Sequence, residues 1–319
     1  MCGIGGFYNV TGVKTPVAHI ASMWCALEDR GTHAHGMAFN WVGADKPVVS
    51  KNVGPASDSK NKIKKYLSGN KLRFVLLHTR YTTQGSTKNM GNNHPIVRDG
   101  ITLTHNGVLR NDRQVFSHLG VKPLYQVDSE AINVALRARG VRWLADNVKG
   151  SMSIAWIDEK DSTQNVHLFT NGGNPLVIAR TKCGNIVWAS CLYHIQESGF
   201  KIKTHFNAMP YKEYILRPDG AIMSKWISKN RKMANISTWH TSHKTYYNND
   251  NVWDWESSVW EDIDNKANAP VKPSRVGKTP SKVEKFENRA LSASEMALDD
   301  DWAYNDSRGW FRISEVEWF

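Results

Sequence analysis

The chain has 319 residues, 40% of them hydrophobic, with 41 Lys+Arg against 30 Asp+Glu and a formal net charge of +11. That length and apolar content suit one large or two ordinary globular domains and exclude a chain too polar to build a core. No 18-residue apolar run and no basic-then-apolar N-terminus occur, which argues against a membrane span or secretory signal, and the four cysteines lack CxxC spacing, so no zinc ribbon or disulfide scaffold is expected and the cytoplasm is the default location.

The pattern along the chain is strand-rich with a few helices. Ile4–Asn9 reads as a strand, and Ala18–Glu28 has helical spacing with Ile20, Met23, Trp24 and Leu27 on one face. Leu72–His78 is a continuous apolar run, the mark of a buried strand. Ile101–His105 alternates and then meets Asn106-Gly107, a turn signature. A helix is expected over Ser129–Gly140, with Ile132, Ala135 and Leu136 inward. Ser151–Asp158, Val166–Thr170, Pro175–Ala179 and Asn185–Ala189 follow as strands, and Tyr214–Arg217 with Ala221–Trp226 forms a hairpin around Pro218-Asp219-Gly220.

Beyond about Asn235 the character changes, and the chain divides into residues 1–235 and a tail, 236–319. From Thr241 onward there are 10 basic and 15 acidic residues, a charge of −5, leaving +16 for the first 240. The tail is Trp-rich, with Trp253, Trp255, Trp260, Trp302, Trp310 and Trp318 among acidic residues, and lacks sustained periodicity. It is expected to be largely flexible, with Val252–Ile263 and Asp299–Phe319 as segments that dock on a partner or fold back onto the basic body. The densest basic cluster, Lys60, Lys62, Lys64, Lys65 and Lys71, lies near a Ser/Gly/Asn-rich turn without interleaved aromatic residues. Nucleic-acid binding therefore stays a minor reading.

Chemistry concentrates in four ordered segments: Met1-Cys2-Gly3-Ile4-Gly5-Gly6, Arg30-Gly31-Thr32-His33, His78-Thr79-Arg80-Tyr81-Thr82-Thr83-Gln84-Gly85, and Asn93-His94-Pro95 followed by His105-Asn106-Gly107. Removal of Met1 would leave Cys2 with a thiol nucleophile and an α-amine on one residue. Such an amine titrates near pH ~7.7–8.0 and can act as the base that a histidine supplies elsewhere.

In order and content these segments resemble the class II glutamine amidotransferases, a family of N-terminal nucleophile (Ntn) hydrolases, and among them the glutaminase half of glucosamine-6-phosphate synthase. The resemblance covers about residues 1–235. It implies an α+β fold, a four-layer α/β/β/α sandwich of two antiparallel sheets, and hydrolysis of L-glutamine to glutamate and ammonia. Cys2 would attack the side-chain amide, while Asn106 and Gly107 in a turn would form the oxyanion hole. Arg80 would clamp the substrate α-carboxylate through its paired donors. Asp128 matches the aspartate that holds the α-amino group and also resembles a helix N-cap with Ser129. Thr83 belongs to a loop closing over glutamine. His78, His94 and His105 sit inside family motifs, so hydrogen bonding is expected of them rather than metal ligation; no metal or cofactor is expected.

Three positions depart from the family pattern: His33 where Arg-Gly-x-Asp is usual, Tyr81 for a tryptophan and Gln84 for a histidine. The tail is too short for a synthetase domain and no GxxxxGK[ST] loop occurs, so a separate synthetase or amidoligase subunit is the expected partner. Two other readings use the same residues: an N-terminal cysteine hydrolase of another γ-glutamyl amide or peptide, and a non-enzymatic binding protein on the same scaffold.

Overall fold

The structure, a computed structural model, describes residues 1–12, 14–67, 72–227, 302–305 and 309–312. Its fifteen strands form two sheets in which every strand pair is antiparallel. The first contains β1 (Gly3–Tyr8), β2 (Ala34–Trp41), β3 (Val48–Val53), β4 (Leu72–Arg80), β9 (Val177–Thr181), β10 (Ile186–Ala189), β11 (Ile202–Asn207), β14 (Trp302–Asn305) and β15 (Gly309–Arg312). Their order across the sheet is β11-β9-β10-β1-β4-β2-β3-β14-β15. The second holds β5 (Ile96–Arg98), β6 (Ile101–Leu109), β7 (Gly150–Asp158), β8 (Val166–Thr170), β12 (Lys212–Leu216) and β13 (Ile222–Trp226), in the order β13-β12-β8-β7-β6-β5.

Three apolar cores separate four layers. Ile4, Phe74, Leu76, Ile157, Leu168 and Trp188 fill the space between the sheets. On the outer face of the first sheet, α1 (Val17–Ala26) buries Ile20, Met23 and Trp24, and α2 (Lys60–Leu67) buries Ile63 and Leu67, against Phe7, Val75 and Leu77. On the outer face of the second, α3 (Asp112–Leu119) and α4 (Glu130–Asn147) bury Phe116, Ile132 and Ala135 against Leu103 and Ile154. The result is the α/β/β/α sandwich. A fifth helix, α5 (Leu192–Glu197), follows β10. No helix among the described residues is long and apolar enough to cross a membrane.

Strand β1 lies inside the first sheet, between β10 and β4, where both its faces are buried and its glycines let neighbours approach. A Cβ on Gly6 would stand 2.0 Å from Trp188 Cζ2 and 2.4 Å from the Val75 carbonyl oxygen. This packing fixes the register Gly3↔Thr79 and delivers Cys2 beside the C-terminal end of β4, where Arg80 sits.

Several sequence expectations shift in detail. Asn106-Gly107 is not a turn: β6 runs through it, paired with β7 from Ile101↔Asp158 to Leu109↔Gly150. Lys60–Lys65 lies in α2, most of its lysines on the solvent side of a short amphipathic helix, while the Ser/Gly/Asn-rich stretch beside it, 68–71, lies outside the described residues. The helix expected to stop at Gly140 continues to Asn147 through a non-helical Gly140 (φ 76°, ψ 175°). Ser129, not Asp128, is the N-cap, and it makes no capping side-chain bond. Within 236–319, β14 and β15 extend the first sheet beyond β3; the flexibility and docking expected of Val252–Ile263 lie outside the described residues, as does Lys71.

Candidate active site

Arg80, Thr83, Gly107 and Asp128 line one pocket together with Cys2. Tyr81, Gln84, His94, His105 and Ser129 complete most of the wall. Asn106 is the one expected residue that does not reach it. Its side chain is buried on β6 between His105 and Gly107, and among the described residues neither Nδ2 nor Oδ1 has a hydrogen-bond partner.

Cys2 is held from behind by Arg30, whose Nε donates to the Cys2 carbonyl oxygen at 2.9 Å; Nη1 and Nη2 reach Cys191 Sγ and Met1 Sδ at 3.7 Å each. The thiol lies 3.6 Å from the Tyr81 carbonyl oxygen. Burial pushes its pKa up, while the chain-terminal ammonium and Arg80 pull it back. A thiol so placed is protonated near neutrality and needs a base to become a nucleophile.

Arg80 is 3% exposed, and burial lowers its pKa. Its guanidinium donates to Asn93 Oδ1 at 2.5 Å, to the Gly85 carbonyl at 3.1 Å and to the Gln84 carbonyl. All three acceptors are neutral, and among the described residues no carboxylate lies within ion-pair distance. Asp128 is likewise buried at 5% exposure, with no cation in ion-pair contact among the described residues. Its Oδ2 accepts the Leu109 N–H at 2.6 Å and its Oδ1 faces Ser129 Oγ at 3.4 Å. One buried cation and one buried carboxylate thus share a pocket without closing on each other.

Gly107 has to be glycine. Its φ is 157°, and a Cβ there would stand 1.9 Å from the Ser151 carbonyl oxygen and 2.5 Å from His105 Nε2. Next to it, Asn174 Nδ2 donates to the Asn106 carbonyl at 3.1 Å and fixes that peptide.

Three histidines pack together, two of them, His94 and His105, in the pocket wall. His78 and His94 stack with ring centroids 4.1 Å apart, and His78 Nε2 lies 3.1 Å from the His105 carbonyl oxygen. His105 Nδ1 meets Ser129 Oγ at 2.8 Å. Burial pushes His78 down to about 3 and holds His94 and His105 below the ordinary imidazole value, so all three are neutral. Hydrogen bonding holds for His105 and for His78 Nε2 only: among the described residues His78 Nδ1 and both nitrogens of His94 have no partner, so His94 is held by stacking rather than by the hydrogen bonds expected of it.

Pattern alone missed the braces of the loop over the pocket. Asn93 Nδ2 donates to the Thr87 carbonyl at 2.8 Å, and Asn92 Nδ2 to the Ser86 carbonyl and Gln126 Oε1 at 3.0 and 3.1 Å. His33, standing where an aspartate is usual, accepts the Thr82 N–H at 2.9 Å and packs on Tyr81 with centroids 4.8 Å apart. It therefore keeps an acceptor under the start of the loop. The Asn-Asn and Arg-Gly segments were visible as motifs, but nothing in the sequence marks their partners.

Comparison with known proteins agrees with this geometry. Residues 78–197 match the glutamine amidotransferase domain family, a stretch that includes Arg80, Thr83, Asn106, Gly107 and Asp128 and begins after Cys2. The chain is 30% identical over 145 residues to the isomerizing glutamine–fructose-6-phosphate aminotransferase of Saccharomyces cerevisiae, covering 41% of this chain and 20% of the relative. The enzyme of the same name from Pectobacterium atrosepticum is 26% identical over 118 residues, 33% of this chain and 19% of the relative. The chain thus spans about a fifth of the length of the curated relatives it matches. The structure of glutamine phosphoribosylpyrophosphate amidotransferase from B. subtilis superposes with a TM-score of 0.58 at 20% identity, over 72% of this chain and 50% of that one. A structure described as the allosteric regulatory enzyme of purine biosynthesis gives 0.56 at 19%, with the same coverage. The chain carries a class II glutamine amidotransferase domain on the Ntn hydrolase fold.

Proposed function

We propose that this domain hydrolyses L-glutamine to glutamate and ammonia with Cys2 as the nucleophile. The observation that carries the reading is the pair of unclosed buried charges, Arg80 and Asp128, in the pocket that holds the Cys2 thiol. A free amino acid presents one carboxylate and one ammonium, and this pocket offers one complement for each. Charge-assisted hydrogen bonds of this kind contribute about 1.5–3 kcal/mol apiece.

With Met1 removed, the Cys2 α-amine takes the thiol proton as Sγ attacks the glutamine Cδ. The oxyanion that forms is met by the Gly107 N–H and, once its side chain turns from its place on β6 into the pocket, by the Asn106 amide, whose Nδ2 has no other acceptor among the described residues. The same ammonium returns its proton to the leaving nitrogen, ammonia departs, and a γ-glutamyl thioester remains. Water, deprotonated by the amine, then releases glutamate and restores the thiol. Thr83, on the pocket rim, belongs to the loop that covers the substrate. Ammonia passes to a separate synthetase or amidoligase subunit, a partner inferred from the resemblance, and residues 1–235 form the catalytic unit with 236–319 as its appendage.

Glutaminase activity of the processed protein, measured with wild type and Cys2→Ala, tests the reading. Activity that vanishes in the variant is the expected result. Glutamate release that survives in Cys2→Ala would remove Cys2 from the mechanism, and hydrolysis of other γ-glutamyl amides in preference to glutamine would favour the broader hydrolase.

A further inference from the structure

The outer edge of the first sheet connects, through a short chain of contacts, to the substrate clamp. β14 pairs with β3 in the register Trp302↔Lys51, Ala303↔Ser50 and Tyr304↔Val49, and β15 closes the hairpin with Ala303↔Phe311. Lys51, opposite Trp302, is 1% exposed. Its ammonium reaches inward and donates to the Met90 carbonyl at 3.2 Å. Met90 opens the tight turn Met90–Asn92, whose C-cap Asn93 donates its backbone N–H back to the Met90 carbonyl. Asn93 Oδ1 in turn accepts from Arg80 Nη1, and Arg80 secures the carbonyls of Gln84 and Gly85. Four consecutive contacts therefore lead from β14 to the Arg80 guanidinium and the loop above the pocket.

Without β14, β3 would be an edge strand with β2 on its one paired side. A lysine buried at an open edge gains hydration by swinging its ammonium to water. That movement releases the Met90 carbonyl. β14 supplies the paired neighbour that keeps β3 internal. The occupant of this edge is a segment of the same chain, joined through residues 227–301, and its Trp, Tyr and Phe content is that of a strand former.

We propose that β14 and β15 form a positioning strap for the glutamine site: with β14 docked on β3, they keep Lys51 under the Met90–Asn93 turn and so order the Arg80 loop. This rests on the glutaminase reading only for its effect on the substrate; the ordering itself is independent of it. β14 is held on β3 by a ladder of three residue pairs, short enough for a competing strand to displace it.

The test uses the full chain, its Ala303→Pro variant and its Lys51→Met variant. Proline opposite Ser50 removes a donor from a strand paired on both sides and opens the ladder. Methionine keeps the buried length of Lys51 but loses the reach to Met90. Hydrogen exchange is followed in peptides covering residues 48–53 and 81–93. In Ala303→Pro, the amides of both peptides should exchange at least about tenfold faster than in wild type. In Lys51→Met, the 48–53 peptide should stay protected while 81–93 loosens. The second reading is the concentration of 6-diazo-5-oxo-norleucine, a glutamine-mimicking electrophile, that half-saturates labelling of Cys2. It should rise several-fold in both variants while iodoacetamide labels all three proteins equally.

Exchange in 48–53 as fast in wild type as in Ala303→Pro would overturn the docking. Unchanged exchange of 81–93 in both variants would overturn the strap. A wild type that reacts with iodoacetamide but not with the glutamine mimic would instead defeat the glutaminase reading, leaving the exchange data to decide the strap.

Discussion

Asn106 is 1% exposed, yet among the described residues its amide has no hydrogen-bond partner on either atom, and that isolation sets what Asn106→Ala should do. A buried, unsatisfied polar group costs about 1–3 kcal/mol, which the fold recovers when the amide is removed. The truncation leaves a small cavity worth about 1–2 kcal/mol in the other direction. The backbone contribution is kept, because the Asn106 carbonyl still accepts from Asn174 Nδ2 at 3.1 Å. Stability should therefore change by no more than about 1 kcal/mol. The catalytic cost is of another size. Loss of one oxyanion donor raises the barrier by about 3–4 kcal/mol, a fall in kcat of roughly 10²–10³-fold. Urea unfolding and steady-state glutamate release on the same preparation measure both. A kcat within about fivefold of wild type would take Asn106 out of the oxyanion hole, since one donor accounts for far more. A stability loss above about 3 kcal/mol would show that the amide has partners in solution.

Three further outcomes follow from the geometry. Asp128→Asn keeps an oxygen for the Leu109 N–H, which now lies 2.6 Å from Oδ2, so the fold should persist while the glutamine KM rises roughly 10–150-fold through loss of the charge; an unchanged KM would remove Asp128 from the ammonium site. Gly6→Ala drives a methyl to within 2.0 Å of the Trp188 ring and should cost about 3 kcal/mol or more in urea unfolding; a midpoint equal to wild type would contradict the packing of β1. His78, His94 and His105 have folded pKa values below the unfolded value, so the unfolded chain binds the extra protons. Their contribution is complete above about pH 6.5 and is lost as pH falls below it, at up to about 1.4 kcal/mol per unit for each histidine. His78 and His94 should by themselves lower the unfolding free energy by about 2–3 kcal/mol between pH 7 and 5.5, and a flat profile over that range would show them to be hydrated.

The sequence carried most of the strands that hold the site. Leu72–His78 and Ser151–Asp158 are legible because a strand buried on both faces is apolar throughout. β2 was not, because Ala34–Trp41 mixes buried polar residues, His35 and Asn40, with apolar ones, and their partners are supplied only by the fold: His35 Nδ1 and Nε2 meet the Gly54 carbonyl and Ser59 Oγ at 2.9 and 2.8 Å. Asn106-Gly107 carries the local chemistry of a turn, yet β7 passes so close to Gly107 that only glycine fits and the strand continues. The constellation of Cys2, Arg80, Gly107 and Asp128 was readable as a set of motifs, whereas the braces from Asn92, Asn93 and Lys51 are long-range contacts that leave no local pattern. The pairing of β14 with β3 was hidden for the same reason: an edge strand chooses its neighbour by backbone geometry, not by composition.

The most direct measurement is intact-mass spectrometry of the full-length protein, before and after 6-diazo-5-oxo-norleucine. The account predicts a chain that begins at Cys2 and gains one adduct on that residue, blocked by excess L-glutamine. Protein from its native host that still carries Met1, or a processed chain whose Cys2 reacts with iodoacetamide but never with the glutamine mimic, would contradict it.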